Sequence, residues 1–132
     1  VESGIKKPYR ILFVDDEESI LFAMREYFSI QGYDVDCAQE MEEAEALLAK
    51  VCYSLAVVDL QLTGLGGAEG LEIIGYICER YPSVKVILLT AYGGPEIEME
   101  ARRRGVGAFL HKPMPLPEVA QTVSELLRDC SL

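Results

Sequence analysis

Short apolar runs rich in β-branched residues alternate with segments of helical period five times over, and few folds accept that alternation. The run Leu55-Ala56-Val57-Val58 is apolar at every position. At four residues it is too short for a helix, so it reads as a strand buried on both faces, and Asp59 ends it. Tyr9 to Val14 is a second such strand, followed at once by Asp15-Asp16-Glu17-Glu18. Val84 to Thr90 is another, and Ala108 to His111 a short one. Val35 and Cys37 alternate with Asp34 and Asp36, the pattern of a half-exposed edge strand.

The intervening segments carry helical stripes. From Glu17, Ile20, Met24 and Phe28 recur at i, i+4 and i+8, with Leu21 and Tyr27 beside them, until Gln31-Gly32. Met41 to Lys50 turns Ala44, Leu47 and Leu48 inward and Glu40, Glu42, Glu43 and Glu45 outward. Gly70 to Tyr81 presents Leu71, Ile74, Ile77 and Cys78, and Pro82 stops it. Pro95 to Arg104 places acids early and Arg102, Arg103 and Arg104 late, as the helix dipole favours, and Gly105 closes it. The arginine run reads as a solvated helix end rather than a docking patch. Pro117 opens a last helix with Val119, Val123, Leu126 and Leu127 inward. Strands joined by helices run parallel with right-handed crossovers and helices on both faces. The expected fold is therefore α/β: a five-stranded parallel sheet in a three-layer sandwich. One domain over residues 9–131 is expected, after a flexible tail at 1–8.

Composition excludes some functions. Twelve basic against 22 acidic residues give a formal charge of −10, so direct nucleic-acid binding is not expected. No apolar run is long enough to cross a membrane. Cys37, Cys52, Cys78 and Cys130 form no CxxC and are expected as reduced core residues of a cytoplasmic protein.

Parallel strands deliver their last residues to one edge, where open α/β sheets place their chemistry. Here that edge collects Asp15, Asp16, Asp59, Thr90 and Lys112. Carboxylates roughly 5–6 Å apart repel by about 3 kcal/mol per pair at an effective dielectric of ~20. Lys112 relieves part of this, and a hard divalent cation would relieve more. All-oxygen ligands favour Mg²⁺, with Mn²⁺ as the alternative. With a cation bound, Asp59 can accept an anionic group. Lys112 and Thr90 offer the charge and hydroxyl a phosphoryl group needs.

The chain resembles the receiver domains of bacterial two-component response regulators. The matching residues are DDEES at 15–19, VVD at 57–59, LLTA at 88–91 and HKP at 111–113, within a resemblance over about residues 9–129. The resemblance implies strand order 2-1-3-4-5. It implies that Asp59 takes a phosphoryl group from the phosphohistidine of a sensor histidine kinase or histidine phosphotransfer protein. Asp16, Asp59 and the backbone carbonyl of Gln61 would hold Mg²⁺, with Asp15 acting mainly through water. Thr90 and Lys112 would grip the phosphoryl oxygens, and Thr90 with Phe109 would form the switch. Gln61, Ala91 and Tyr92 would modulate the lifetime of the phosphorylated state. The Lys112–Pro113 bond would be cis. Output would pass to a downstream protein or output domain through the face built from helix four, strand five and helix five, in a monomer or a phosphorylation-dependent dimer. The chain would not be an enzyme beyond assisting its own phosphorylation and slow self-dephosphorylation.

Two departures stand out. Thr63 occupies a position where the family usually has proline, and the loop Gln61 to Glu69 is about three residues longer than usual, which reads as a mobile flap with Leu65 its apolar contact. The competing readings are an aspartyl-nucleophile phosphatase, a flavin-binding electron carrier and a phosphorylation-independent interaction module. The phosphatase wants a DxDxT run after the first strand, which Asp15-Asp16-Glu17 is not. The flavin carrier wants a phosphate-binding loop where these acids stand. Gly64, Gly66, Gly67 and Gly70 make no GxGxxG and read as loop glycines.

Overall fold

The computed structural model describes residues 9–59, 69–91 and 93–129. Five strands, β1 (Arg10–Val14), β2 (Asp34–Ala38), β3 (Leu55–Val58), β4 (Lys85–Thr90) and β5 (Ala108–His111), alternate with five helices. These are α1 (Glu18–Ile30), α2 (Met41–Lys50), α3 (Glu69–Arg80), α4 (Pro95–Arg103) and α5 (Leu116–Asp129). All strand pairs are parallel and the order is β2-β1-β3-β4-β5, as expected.

Successive side chains along a strand point to opposite faces, and the core divides accordingly. Ile11, Phe13, Leu55, Val57, Ile87 and Leu89 pack with α1 and α5. Leu12, Val14, Ala56, Val58, Val86 and Leu88 pack with α2, α3 and α4. Both faces are covered, which explains why the central strands are apolar at every position.

Three details differ from the sequence reading. In α1 the fully inward positions are Leu21, Met24 and Phe28, and Ile20 lies at the margin. In α3 Ile73 joins Ile74 and Ile77 in the core, while Leu71 and Cys78 are partly buried, because this helix lies over the middle of its layer. The core assignment of the cysteines is corrected: Cys52 is exposed just before β3, and Cys37 and Cys78 are half-buried free thiols. Its neighbour Tyr53 takes the buried place instead, its hydroxyl donating to Asp36 Oδ2 at 2.6 Å and so tying the approach to β3 to the edge strand. Cys130, the tail at 1–8 and the loop at 60–68, with Thr63, Leu65 and its glycines, lie outside the described residues. Among the described residues no helix is long and apolar enough to cross a membrane.

Candidate phosphoacceptor site

The register of the sheet builds the site. Val14 pairs with both Ala38 and Val58. The next residues continue the ladder: Asp15 N–H donates to Ala38 O and Asp59 N–H to Val14 O, each at 3.0 Å. Two carboxylates thus emerge side by side from adjacent central strands. Thr90 ends β4 opposite His111, and Lys112 N–H donates to Thr90 O at 2.9 Å. That bond fixes the lysine at the same edge, just before a cis Lys112–Pro113 peptide.

The side chains then converge. Lys112 Nζ donates to Asp15 Oδ2 at 2.7 Å and to Asp59 Oδ2 at 3.3 Å. Asp15 Oδ1 accepts the Glu17 N–H at 3.0 Å, which orients the carboxylate and serves the start of α1, where Glu17 gives no side-chain cap. Asp15, Asp59 and Thr90 are buried, whereas Asp16 is exposed at the mouth. Carboxylate oxygens of Asp15, Asp16 and Asp59 all lie within 4.8 Å of one another.

This crowding shows in the protonation of the site. Burial pushes the Asp59 carboxyl above its ordinary value; Lys112 opposes the rise and Asp15 adds to it. A hydrogen bond from the Thr90 side chain favours the charged form. Desolvation, then Asp15, also raises Asp16. For Lys112, burial works against the charge, but Asp15 and Asp59 together carry its pKa above the ordinary lysine value. Asp59 Oδ1 is buried with no hydrogen-bond partner among the described residues. A buried carboxylate oxygen left without a donor is costly. A divalent cation among three carboxylates would satisfy it, so the donor set fits Mg²⁺ or Mn²⁺.

The expected residues therefore separate into groups. Asp15, Asp16, Asp59, Thr90 and Lys112 come together at one strand-end edge. Ala91 follows Thr90 and is exposed. Phe109 is 9% exposed, already turned inward, with its ring 4.9 Å from that of His111. A Cβ added to Gly93 would lie 3.4 Å from Phe109 Cζ, so the ring packs beneath the entry to α4. Gln61 and Tyr92 lie outside the described residues.

A doubly covered parallel sheet with an acidic, cation-ready pocket and one lysine at its carboxyl edge defines a phosphoryl-accepting α/β domain. The chain belongs to the response regulator receiver domain family, whose model matches residues 11–124. It is thus a receiver domain of two-component systems, a phosphoacceptor switch. It is similar to the response regulator protein FleR of Pseudomonas aeruginosa, 31% identical over 104 residues that make up 79% of this chain and 21% of FleR. The chain thus spans about a fifth of that regulator's length. It is also similar to sporulation initiation phosphotransferase F of Bacillus subtilis, 31% identical and covering 89% of this chain and 93% of that protein. Among solved structures, a CheY-like receiver domain protein from Methanospirillum hungatei JF-1 superposes with a TM-score of 0.87 at 27% identity, covering 94% of this chain and 97% of that one.

Proposed function

We propose that Asp59 is the phosphoacceptor of this switch, within a single receiver domain over residues 9–131. The observation that carries the proposal is Lys112 Nζ shared between Asp15 and Asp59, beside a buried Asp59 oxygen with no partner among the described residues. A carboxylate oxygen of Asp59 attacks phosphorus in the phosphohistidine of a sensor histidine kinase or histidine phosphotransfer protein. The O–P bond forms and the P–N bond breaks; the electron pair stays on the imidazole nitrogen, which takes up a proton. Asp15, Asp16 and Asp59, with the Gln61 carbonyl, would hold Mg²⁺, which supplies charge neutralisation for the incoming phosphoryl group. Lys112 turns from the carboxylates toward a phosphoryl oxygen, and the Thr90 hydroxyl donates to another. Chemistry ends there: the chain assists its own phosphorylation and slow self-dephosphorylation, with Gln61, Ala91 and Tyr92 setting the lifetime, and turns over no separate substrate.

A phosphoryl group adds about −1.5 to −2 charge and new acceptor oxygens beside Thr90. Drawing Thr90 toward it stabilises the inward Phe109 ring and alters the face of α4, β5 and α5. A downstream protein, an output domain or a second copy would read that face in the cytoplasm. To test the acceptor, the chain is incubated with acetyl phosphate and Mg²⁺ and its intact mass measured. One phosphoryl mass is expected in the wild type and none in Asp59→Asn; unchanged labelling of that variant would overturn the assignment.

A further inference from the structure

The two ends of α4 are held differently. At its C-terminal end Arg102 and Arg103 pair with Glu98 and Glu100 on their own helix, but Arg104, the C-cap, reaches off it. Arg104 Nε donates to Glu100 Oε2 at 2.6 Å, and its Nη1 donates to the Leu71 carbonyl in the first turn of α3 at 2.9 Å. Between these contacts the stem crosses α3 over Gly75, where an added Cβ would sit 3.8 Å from Arg104 Cδ. Gly105, at φ +109°, then lays its backbone against Cys78: an added Cβ would lie 3.0 Å from the sulfur. Ala101, the buried residue of α4, lies in this last turn, and Val106 N–H donates back to its carbonyl at 3.1 Å. Leu71, Gly75 and Cys78 are spaced i, i+4 and i+7, one stripe of α3, and the end of α4 is set into it.

The first turn of α4 has no such ties. Gly94 stands at its N-cap and offers no side-chain bond to the open amides, and Pro95 has no N–H to give. Gly93, Gly94, Pro95 and Glu96 are exposed. What this end does meet is the aromatic ring of β5. A Cβ added at Gly93, which has φ +111°, would lie 3.0 Å from Ile97 Cγ2 and 3.4 Å from Phe109 Cζ, so both side chains close on the same stretch of backbone. Phe109 in turn pairs with Leu88, two residues before Thr90. The end of α4 beside Phe109 is thus the end with least to hold it.

We propose, on the reading that Asp59 is the acceptor and that α4 responds to it, that Arg104 is the pivot of that response: it pins the C-terminal end of α4 to α3, so that phosphorylation swings the helix at its Gly93–Ile97 end. A helix of nine residues is about 13 Å long, and a rotation of roughly 10° about one end carries the other by about 2 Å. The pin needs an arginine, because a guanidinium bridges a carboxylate and a carbonyl at once, which an ammonium on a flexible stem does poorly. It needs Glu100 as well, because a cation beside the first turn of α3 meets the positive end of that helix's dipole.

The test follows amide hydrogen exchange by NMR in the full chain, with and without beryllofluoride and Mg²⁺ as the mimic of the phosphoryl group. Each end has its reporters. Glu98 N–H, bonded to the Gly94 carbonyl, reports the free end; the N–H groups of Arg104, Gly105 and Val106, bonded to the carbonyls of Glu100, Arg102 and Ala101, report the pinned one. In the wild type, loading should change exchange at Glu98 by about threefold or more and leave the other three within about twofold. Arg104→Met keeps the stem over Gly75 and removes both polar contacts. Its three reporters should exchange roughly tenfold faster before loading, the factor for one charged hydrogen bond lost, and should change again on loading. Arg104→Lys, which does not span both acceptors, should follow it. Equal change at both ends of the wild type, or wild-type exchange at Val106 in either variant, would overturn the pivot; the first of these outcomes needs no variant to fold. A loaded wild type that changes at Thr90 but not at Glu98 would overturn the response of α4 and leave the acceptor intact. A wild type that changes nowhere would overturn the acceptor reading, and the pivot with it.

Discussion

Two ion pairs in this molecule have the same length and different consequences. Lys112 Nζ meets Asp15 Oδ2 at 2.7 Å with the two side chains 16% and 8% exposed. On α4, Arg103 Nη2 meets Glu100 Oε2 at 2.7 Å with the side chains 74% and 27% exposed. The first pair shares its cation with a second buried carboxylate and shifts the protonation of Asp59 and Lys112. The second lies in water, where screening and side-chain entropy remove most of the Coulomb gain. Distance alone does not set what an ion pair does. The site's charges are poised for a ligand because they are held out of solvent and incompletely satisfied; those on α4 are already satisfied by each other and by water.

The strongest way to break this contrast is to remove the shared cation. Lys112→Met should cost about 3 kcal/mol of stability at neutral pH in the absence of divalent ions, because it strands buried carboxylates. A divalent cation should restore part of the loss. Chemical denaturation with and without Mg²⁺ measures both, and a loss below about 1 kcal/mol would place this pair with the surface ones. The pH dependence has a definite sign. Lys112 has a raised folded pKa, so its contribution is fully present below the ordinary lysine value and fades as pH rises through the folded value. In Lys112→Met that alkaline loss should be weaker.

A smaller effect, of opposite direction, is expected at Asp59. Its folded pKa is raised, so the folded chain holds the proton more tightly than the unfolded one. Its ionisation therefore weakens the fold as pH climbs from the ordinary carboxylate range through the raised value. Asp59→Asn should be more stable than wild type at neutral pH. The gap should close as pH falls toward 4, near the ordinary aspartate value. Thermal melts across that range check it; a gap independent of pH would show that the carboxylate's charge is not its cause.

The contrast also explains what could be read from the sequence. The strands, their order and the edge that carries Asp15, Asp59, Thr90 and Lys112 were legible because local period and parallel connection dictate them. The bridging of Asp15 and Asp59 by one lysine was less so, since sequence fixes which residues reach an edge but not which atoms meet. Arg104 was misread for the same reason. Its place in a charge-ordered helix matches the dipole, and only the tertiary approach of α3 at Gly75 brings its Nη1 to the Leu71 carbonyl at 2.9 Å, with the side chain still 35% exposed. Cys52 and Tyr53 show the limit at a single step in the chain. Both fit a buried position, and the phenol takes it because its hydroxyl finds Asp36, while a thiol has no comparable donor to offer. The spacing that could have flagged α3 was there: a glycine inside a helix costs roughly 1 kcal/mol against alanine, and such a residue commonly marks a close approach.

The smallest effect sharpens the other side of the comparison. Glu98 accepts from Arg102 Nε at 3.1 Å and Nη2 at 2.9 Å, a two-point contact at i, i+4. By geometry it is better formed than the contact of Lys112 with Asp59. Its side chains are 39% and 52% exposed, however, so the same charges are largely hydrated before and after folding. The order of the pair, acid before base, agrees with the dipole and adds slightly to helix stability. A double-mutant cycle through Glu98→Ala and Arg102→Ala should give a coupling of about 0.3–0.5 kcal/mol. It should shrink further in 1 M salt, where the Debye length falls to about 3 Å. The Lys112–Asp59 coupling, measured by the same cycle, should survive that salt because solvent ions do not enter between buried partners. Equal salt sensitivity in the two cycles would mean that burial does not separate the two regions.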